Sequence, residues 1–288
     1  MDPSMDFFAM PPAKLGDIIA ASSSLRVGRS GIPLAARIGI AAACIIVSAL
    51  YFNWQLADEG TGLLGGILGA IPGMVLFAAT RFNHFVGYVS KNGYAKITCK
   101  DRRDKIVKAE LLLFDSATDL YVSEVRVSQN FIYSGTHYEY KWCSTDRAVV
   151  SQIAGVFYSK PKPDNLYFLA TAAASAWTSH LASPAMKDFK TKGHVAHNFL
   201  LGGSLRLGKD WIEFPIKDQV VRLTVTEVKQ IGIANGMISI APLPPHKKIK
   251  TDLLDITPGY DLPMSSIANV KILILCLTKL TTFPIESC

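Results

Sequence analysis

The sequence has few charged residues, and its cysteines are few and widely spaced. Charged residues make up 18% of the 288 residues, whereas ordinary soluble domains contain about 25%. The five cysteines have no close spacing, which excludes the disulfide framework of a small secreted domain. Apolar residues make up 49% of the chain, a content that excludes a disordered polymer. The apolar residues must therefore lie either in large cores or in membrane segments.

Common catalytic and metal-binding signatures are also missing. The chain contains no H-E-x-x-H, no G-x-S-x-G and no paired-carboxylate pattern. The segment GSLRLGKD has P-loop spacing, but Asp210 stands where a P-loop has Ser or Thr, and the segment alternates like a strand. His194 and His197 lie in an extended segment and so point in opposite directions, and no other residue completes a metal site. We therefore expect no catalytic residue, no metal and no cofactor.

Two long segments carry no formal charge. Residues 38–54 and 61–80 have the roughly 20-residue length that a helix needs to cross about 30 Å of hydrocarbon. Aromatic residues end or follow both segments, as in interfacial belts. The alternatives are two buried core helices, which seldom run this long without a charge, and a signal peptide, which would lie nearer the N-terminus. The pattern predicts a transmembrane helical hairpin at residues 35–82, with helices at about 36–54 and 61–81.

Basic residues lie before the first segment and after the second, at the two outer ends of the pair. The short connection QLADEG contains Asp58 and Glu59 and no basic residue. The positive-inside rule therefore places both termini in the cytoplasm, with residues 1–34 as a cytoplasmic segment of an integral inner-membrane protein. The flanking basic residues are Lys14, Arg26, Arg29 and Arg37 before the hairpin and Arg81, Lys91, Lys96 and Lys100 after it.

Small residues recur four positions apart in the predicted helices. Such faces let helix backbones approach closely in lipid, either within the hairpin or between two copies of the chain. Neither helix carries an ionisable residue at depth, which argues against an ion pathway or a transporter. The candidates for self-association are Gly62, Gly66, Gly69 and Gly73, and Gly65 belongs to the same series.

The sequence from residue 86 onward indicates two β-rich halves, each closed by a helix. The predicted first domain is residues 86–183, with its closing helix at about 166–181. The predicted second domain is residues 190–288, with its closing helix at about 265–281 and Ser265 or Ser266 as the helix cap.

Local patterns within the two halves predict turns and a repeat. The dipeptides Ser134-Gly135 and Asn235-Gly236 each indicate a two-residue hairpin turn, the second typical of type I′. Aligning Phe114 with Val225 superposes the apolar positions that follow each of them. The two halves are therefore predicted to be repeats of one unit.

The same segments also carry a family resemblance. In the second half it lies in WIEFPIKDQVVRLTVTEVKQIGIANGMISI and IANVKILILCLTKL, and in the first half in GYAKI, LLFDSATDLYV and SGTHYEYKW. These segments resemble pleckstrin-homology-like (PH-like) domains, in particular the small bacterial ones attached to paired transmembrane helices. The resemblance implies, for each half, a partly open barrel of seven strands plugged by a C-terminal helix. The expected fold is thus an α+β membrane protein, a two-helix transmembrane hairpin followed by two β-rich PH-like domains.

Basic residues cluster directly after the predicted hairpin. A basic side chain near an anionic leaflet gains about 1 kcal/mol, so the cluster is a candidate for contact with lipid headgroups. A solvated turn at KDRRDK is the alternative, and no recognition helix or aromatic pattern favours nucleic acid. The lipid-headgroup candidates are Arg81, Lys91, Lys96, Lys100, Arg102, Arg103, Lys105 and Lys108.

Two functions remain open at this point. The first is a non-catalytic, membrane-anchored binding or scaffold module at the cytoplasmic face, which recognises a protein partner or anionic lipid headgroups. The second is a membrane enzyme or enzyme subunit with a site between the two β-rich halves. The candidate cluster for the second function is Tyr133, His137, Glu139 and Lys141, on a strand whose polar face is otherwise expected to be solvated.

Overall fold

The protein, described here by a computed structural model, is an α+β fold with several β-sheets. The structure describes residues 9–24, 34–56, 61–79, 83–100, 106–129, 132–161, 165–216, 219–243 and 259–287. The chain forms two compact units. The first contains Met1–Pro11, Ala21–Gly87 and Ala95–Glu110, and the second contains Pro12–Ala20, Tyr88–Tyr94 and Leu111–Cys288.

The first β-rich half consists of two sheets and a helix. Strands β1 (Ile18–Ser23), β2 (Asn83–Ser90), β3 (Gly93–Lys100) and β4 (Ile106–Leu113) form a sheet in the order β1-β2-β3-β4. Strands β5 (Asp119–Gln129), β6 (Ile132–Cys143) and β7 (Val149–Phe157) form a three-stranded sheet, and helix α3 (Leu166–Lys192) follows. Helices α1 (Leu34–Leu56) and α2 (Thr61–Ala79) lie in the chain between β1 and β2. Strand β1 was not predicted, because this long insertion separates it from its neighbours.

The second half repeats this order of elements. Strands β8 (His194–Asn198), β9 (Ser204–Gly208), β10 (Trp211–Ile216) and β11 (Gln219–Thr224) form a four-stranded sheet. Strands β12 (Val228–Ala234), β13 (Met237–Pro242) and β14 (Tyr260–Pro263) follow, then helix α4 (Val270–Leu280), and β15 (Ile285–Ser287) pairs in parallel with β12. Corresponding 3₁₀ turns, Phe114–Ser116 and Val225–Glu227, join the two sheets of each half, as the alignment of Phe114 with Val225 predicts.

One predicted hairpin is correct and the other is wrong. Asn235 and Gly236 both have positive φ and link β12 to β13 with the two-residue loop of a type I′ turn. Ser134-Gly135, in contrast, lies inside the continuous strand β6, where the register with β5 shifts. The Ser134 hydroxyl donates to the Val127 carbonyl at 2.9 Å. A glycine at a β-bulge gives the same local sequence signal as a glycine at a turn.

Both closing helices differ from their predicted bounds. Helix α3 continues past residue 181 and through Pro184 to end at Gly193, which has the left-handed backbone common at helix ends. Its added turns pack apolar side chains such as Ala185 and Phe189 against the second core. Helix α4 begins later than predicted, after Asn269, because the predicted cap residues belong to the 3₁₀ turn Met264–Ser266.

Each half has its own hydrophobic core. The first is built around Trp142 and Trp177, and the second around Phe214 and Leu273, all of them buried. Leu181 of α3 packs against both cores. Helix α3 is therefore shared between the two halves, and the division at residues 183–190 stays a prediction.

The side chain of Asn269 connects the second half to the first. Its Oδ1 accepts hydrogen bonds from the Leu120 backbone N–H at 3.0 Å and from the Trp177 indole at 2.8 Å. Its Nδ2 donates to the Thr118 carbonyl at 2.9 Å, and its own N–H donates to the Leu120 carbonyl at 2.8 Å. Asn269 also has a left-handed backbone, φ 54° and ψ 38°, which asparagine tolerates better than most residues. Asn269 thus pairs with β5 and caps α4 at once.

We expect Asn269→Ala to lower the free energy of unfolding by about 4 kcal/mol. Three side-chain hydrogen bonds worth roughly 1 kcal/mol each are lost, and alanine disfavours the left-handed backbone. The control is Asn235→Ala, since Asn235 also has positive φ but is exposed in a turn; its loss should be about 1 kcal/mol. Denaturant unfolding of the full chain in detergent, followed by tryptophan fluorescence, measures both. Equal losses would contradict the role of the side chain.

Candidate functional site

Helix α1 is the long apolar helix expected near the N-terminus. Residues Ala35–Gln55 are long and apolar enough to cross a membrane, with a mean hydropathy of 2.0, and only 6% of the most apolar window is buried. Among the described residues α1 is the only helix that meets this criterion, because the apolar part of α2, Gly65–Phe77, is shorter. One membrane-length helix is therefore present, and the predicted second span is not confirmed.

A row of three glycines on α2, Gly65, Gly69 and Gly73, packs against α1. A β-carbon on Gly65 would lie 2.6 Å from the Ser48 carbonyl oxygen, and one on Gly69 would lie 2.6 Å from that of Cys44. One on Gly73 would lie 3.0 Å from the Ala41 carbonyl oxygen. The contacts run in opposite directions along the two helices, so α1 and α2 are antiparallel, and no side chain fits in this row.

The predicted self-association residues divide into three groups. Gly69 and Gly73 lie in the glycine row, against α1 of the same chain. Gly66 lies beside the row, and a β-carbon there would be 3.8 Å from the nearest atom. The surroundings of Gly62 lie outside the described part of the chain. Self-association through this helix stays a prediction.

Arg37 joins the two helices at one end. Its Nη2 donates to the Phe77 carbonyl at 2.8 Å, and its guanidinium carbon lies 4.4 Å from the centroid of the Phe77 ring. The side chain is buried. A carbonyl oxygen and the face of an aromatic ring both stabilise a guanidinium. The contact connects the first turn of α1 to the last turns of α2.

Two of the three lipid-headgroup candidates whose side chains the structure describes share one acidic partner. Lys96 and Lys108 pair with Glu110 at 3.1 and 2.7 Å. Burial alone would raise the pKa of Glu110, but the hydrogen bonds and charges of Lys108 and Lys96 outweigh it and lower the pKa. Lys91 is exposed in the turn between β2 and β3. Arg81, Arg102, Arg103, Lys105 and the side chain of Lys100 lie outside the described residues.

The candidate catalytic cluster on β6 does not converge on a deep site. Glu139 pairs with Lys141 at 2.8 Å and accepts a hydrogen bond from Gln152. His137 is exposed at the side of an open depression. The Tyr133 hydroxyl instead lies 2.8 Å from that of Thr136. The four residues therefore form a polar surface, as predicted for a solvated strand face.

A buried polar cluster lies where β5, β6 and β8 meet. Asp119 accepts a hydrogen bond from Asn198 at 2.9 Å, but burial raises its pKa. Burial, followed by the charge of Asp119, raises the pKa of Tyr121 to about 12. Burial also raises the pKa of the Cys143 thiol. A thiol with a raised pKa is a poor nucleophile, so the cluster is structural in character.

His197 is a further buried titratable group of this region. Its Nδ1 lies 3.1 Å from the Ala268 carbonyl, and its Nε2 has no hydrogen-bond partner among the described residues. Burial lowers its pKa to about 4, so the ring is neutral, with the proton on Nδ1. His194 packs near Trp211 instead. The described residues contain no group of three metal-ligating side chains.

A cleft does exist between the two β-rich halves. It has a volume of about 320 Å³ and is lined by the second part of α3, by β8 and by the start of α4. The unpaired Nε2 of His197 is sealed from solvent, so it offers no contact to a ligand in this cleft. Two charged residues of its lining, Asp188 and Lys192, pair with each other at 2.9 Å.

Comparison with known proteins adds no identification: no protein-family model matches the chain, and no curated protein matches it either.

Sequence reasoning missed two features that organise this region. The first is β1, which forms the end strand of the first sheet although α1 and α2 separate it from β2 in the chain. The second is Asn269, whose pairing with Leu120 spans 149 residues of the chain. The four strands before the 3₁₀ turn of the second half could have pointed to β1, because only three strands were evident before the corresponding turn of the first half.

We expect Gly69→Val to destabilise the helix pair by about 1–3 kcal/mol, since overpacking forces the backbones apart. The matched control is Gly66→Val on the same helix, where a β-carbon has room. The midpoint of thermal unfolding of the full chain in detergent should fall clearly for the first variant only. A similar fall for both variants would show that the glycine row does not set the helix spacing.

We expect stability to fall with pH through His197. The unfolded chain binds a proton near the ordinary pKa of 6.5, whereas the folded protein resists protonation until about pH 4. Stability is therefore full above pH 6.5 and declines below it, by up to about 3 kcal/mol. Denaturant unfolding between pH 7.5 and pH 4.5 should show a smaller decline for His197→Gln.

His194→Gln, on the same strand, is the control and should keep the wild-type decline. The raised pKa of Asp119 acts in the opposite sense, but it is common to all three proteins and cancels in the comparison. An unchanged decline in His197→Gln would refute the assignment.

Proposed function

We propose that the protein is a membrane-anchored, non-catalytic binding module whose β-rich halves face the cytoplasm. The observation that carries the proposal is α1, a membrane-length apolar helix in which only 6% of the most apolar window is buried. Several large apolar side chains on α1 are more than half exposed. The exposed fraction is 58% for Ile46 and 64% for both Val47 and Leu50. Exposure of such an apolar surface to water is unfavourable, whereas its exposure to the hydrocarbon of a bilayer is favourable.

The proposal includes α2 as a second span. Its 19 residues pack antiparallel on α1 through the glycine row, as small residues do between helices in lipid. Outward residues such as Ile71, Met74 and Val75 are more than half exposed. With basic residues on the outer flanks and none in QLADEG, this hairpin leaves both termini in the cytoplasm.

Each β-rich half is proposed to be a PH-like domain. The support is the order of elements, since a four-stranded sheet, three consecutive strands of a second sheet and a helix occur twice, although β15 adds a fourth strand to the second sheet of the second half. In the first half the helix pair is inserted between β1 and β2, so two chain connections tether it. Ser24 accepts a hydrogen bond from the Phe85 N–H at 3.0 Å and so holds these two connections together.

A protein partner is better supported than lipid headgroups or catalysis. Two of the three described lysines of the basic cluster, Lys96 and Lys108, share Glu110, which reduces their attraction for an anionic surface. The candidate catalytic residues form a neutralised surface pair, and the thiol of Cys143 is protonated and buried. Binding therefore needs another surface of the β-rich halves.

The anchor is tested by washing membranes that contain the full chain with alkaline carbonate. The wild-type protein should stay in the membrane fraction and enter solution only with detergent. Arginine at the centre of a span costs about 3 kcal/mol, so Ile46→Arg combined with Leu50→Arg should move most of the protein to the wash.

The control combines Leu201→Arg with Val220→Arg, two residues of the second half that are also highly exposed. This variant should remain in the membrane fraction. Release of the wild-type protein by carbonate, or equal release of both variants, would refute the anchor.

A further inference from the structure

A groove in the second compact unit runs between the edge of the first sheet and helix α3. Its volume is about 640 Å³, within the range of ligand pockets. Its walls are Ile19 and Ala20 of β1 on one side and a face of α3 on the other, with the β2–β3 turn at one end. Lys91, a lipid-headgroup candidate described above, also lines it.

One wall of the groove is a free strand edge. Ile19 and Ala20 are consecutive in β1, and consecutive strand residues point to opposite faces. A cavity that touches both therefore touches the strand's edge. Strand β1 is the end strand of its sheet, and no described strand pairs with its outer side. An open edge presents backbone N–H and C=O groups that can pair with another extended chain.

The opposite wall is made of small side chains. Ala172, Ser175, Ala176 and Ser179 follow the i, i+3, i+4, i+7 spacing of one helix face. The Ser179 hydroxyl donates to the Ser175 carbonyl within the helix, so it is already paired. Small side chains on this face leave the width that an extended chain beside β1 needs. They offer little polar recognition, so they favour apolar side chains of the occupant.

Charge is concentrated at one end of the groove. Lys91 is exposed in the turn after β2, and the neighbouring Asn92 donates to the Leu15 carbonyl at 3.4 Å. This end is therefore next to the start of β1. His180 also lines the groove, and its Nε2 lies 3.5 Å from the Asp115 carboxylate. Lys91 makes no such pair with any described residue, so a carboxylate of the occupant would find its partner there.

We propose that this groove binds an extended segment of a partner protein, which pairs with β1 as a fifth strand of the sheet. The segment carries small apolar side chains toward α3 and an acidic residue beside Lys91. In antiparallel pairing the carboxyl-terminal end of the segment lies at the start of β1, so the acidic residue follows the apolar ones. The proposal rests on the proposed function, for which it supplies the partner's chemistry.

The test uses the full chain in nanodiscs and a display library of random eight-residue peptides. Selection should enrich peptides in which small apolar residues alternate and an aspartate or glutamate follows. A synthetic peptide of the enriched sequence should bind at least tenfold more weakly to Ala172→Leu and to Ser175→Leu, because leucine fills the groove. Selection on Lys91→Glu should replace the acidic preference with a basic one.

Two variants serve as controls. Ser183→Leu adds the same side chain to an exposed part of α3 that does not line the groove, and it should bind like the wild type. Lys187→Glu reverses an exposed charge on the same helix and should keep the acidic preference. Thermal unfolding of each variant confirms that the fold is retained.

Several outcomes would overturn the proposal. The first is a selection in which no peptide is enriched more on the protein than on empty nanodiscs. The second is an enriched peptide that binds the Ala172→Leu variant with the same affinity as the wild type. If the peptide binds only after residues 1–8 are deleted, the groove is assigned to this chain's own N-terminus. If the full chain forms a dimer that Ala172→Leu dissociates, the groove is assigned to a second copy. Carbonate extraction is independent of all these results, so failure here leaves the membrane anchor standing.

Discussion

The hydrogen bonds of Asn269 determine how the two β-rich halves are joined. One side chain satisfies the Leu120 N–H, the Thr118 carbonyl and the Trp177 indole. The Leu120 N–H and the Trp177 indole would otherwise be unpaired at partly buried positions, where an unpaired polar group costs about 1–3 kcal/mol. Because Asn269 also precedes α4, the position of that helix is tied to the first residues of β5.

Helix α3 extends the same connection through apolar contacts. Its first turns bury Leu169, Ala173 and Trp177 in the first core, and its last turns bring Phe189 to the second. A helix that ended at residue 181 would leave the second core open on one side. The long helix and the Asn269 hydrogen bonds therefore act together, and the residues from Leu111 onward fall within one compact unit.

The helix pair follows a different physical rule. The glycine row instead brings backbone against backbone, so that dispersion contacts and the bond from Arg37 to the Phe77 carbonyl hold the pair. Gly69 and Gly73 therefore contact α1 of the same chain. The outward faces are left to larger apolar side chains such as Ile71 and Met74.

Local pattern determined much of this protein. The apolar helix, the alternating strand β6, the type I′ turn at Asn235-Gly236 and the repeat around Phe114 and Val225 all depend on residues close in the chain, so the sequence alone predicts them. The tertiary structure decided what depends on distant residues. The bulge at Gly135, the extension of α3, the start of α4 after Asn269 and the addition of β1 each result from a partner far away in the chain. The groove between β1 and α3 belongs to this second class, since its two walls lie on opposite sides of the helix pair in the sequence.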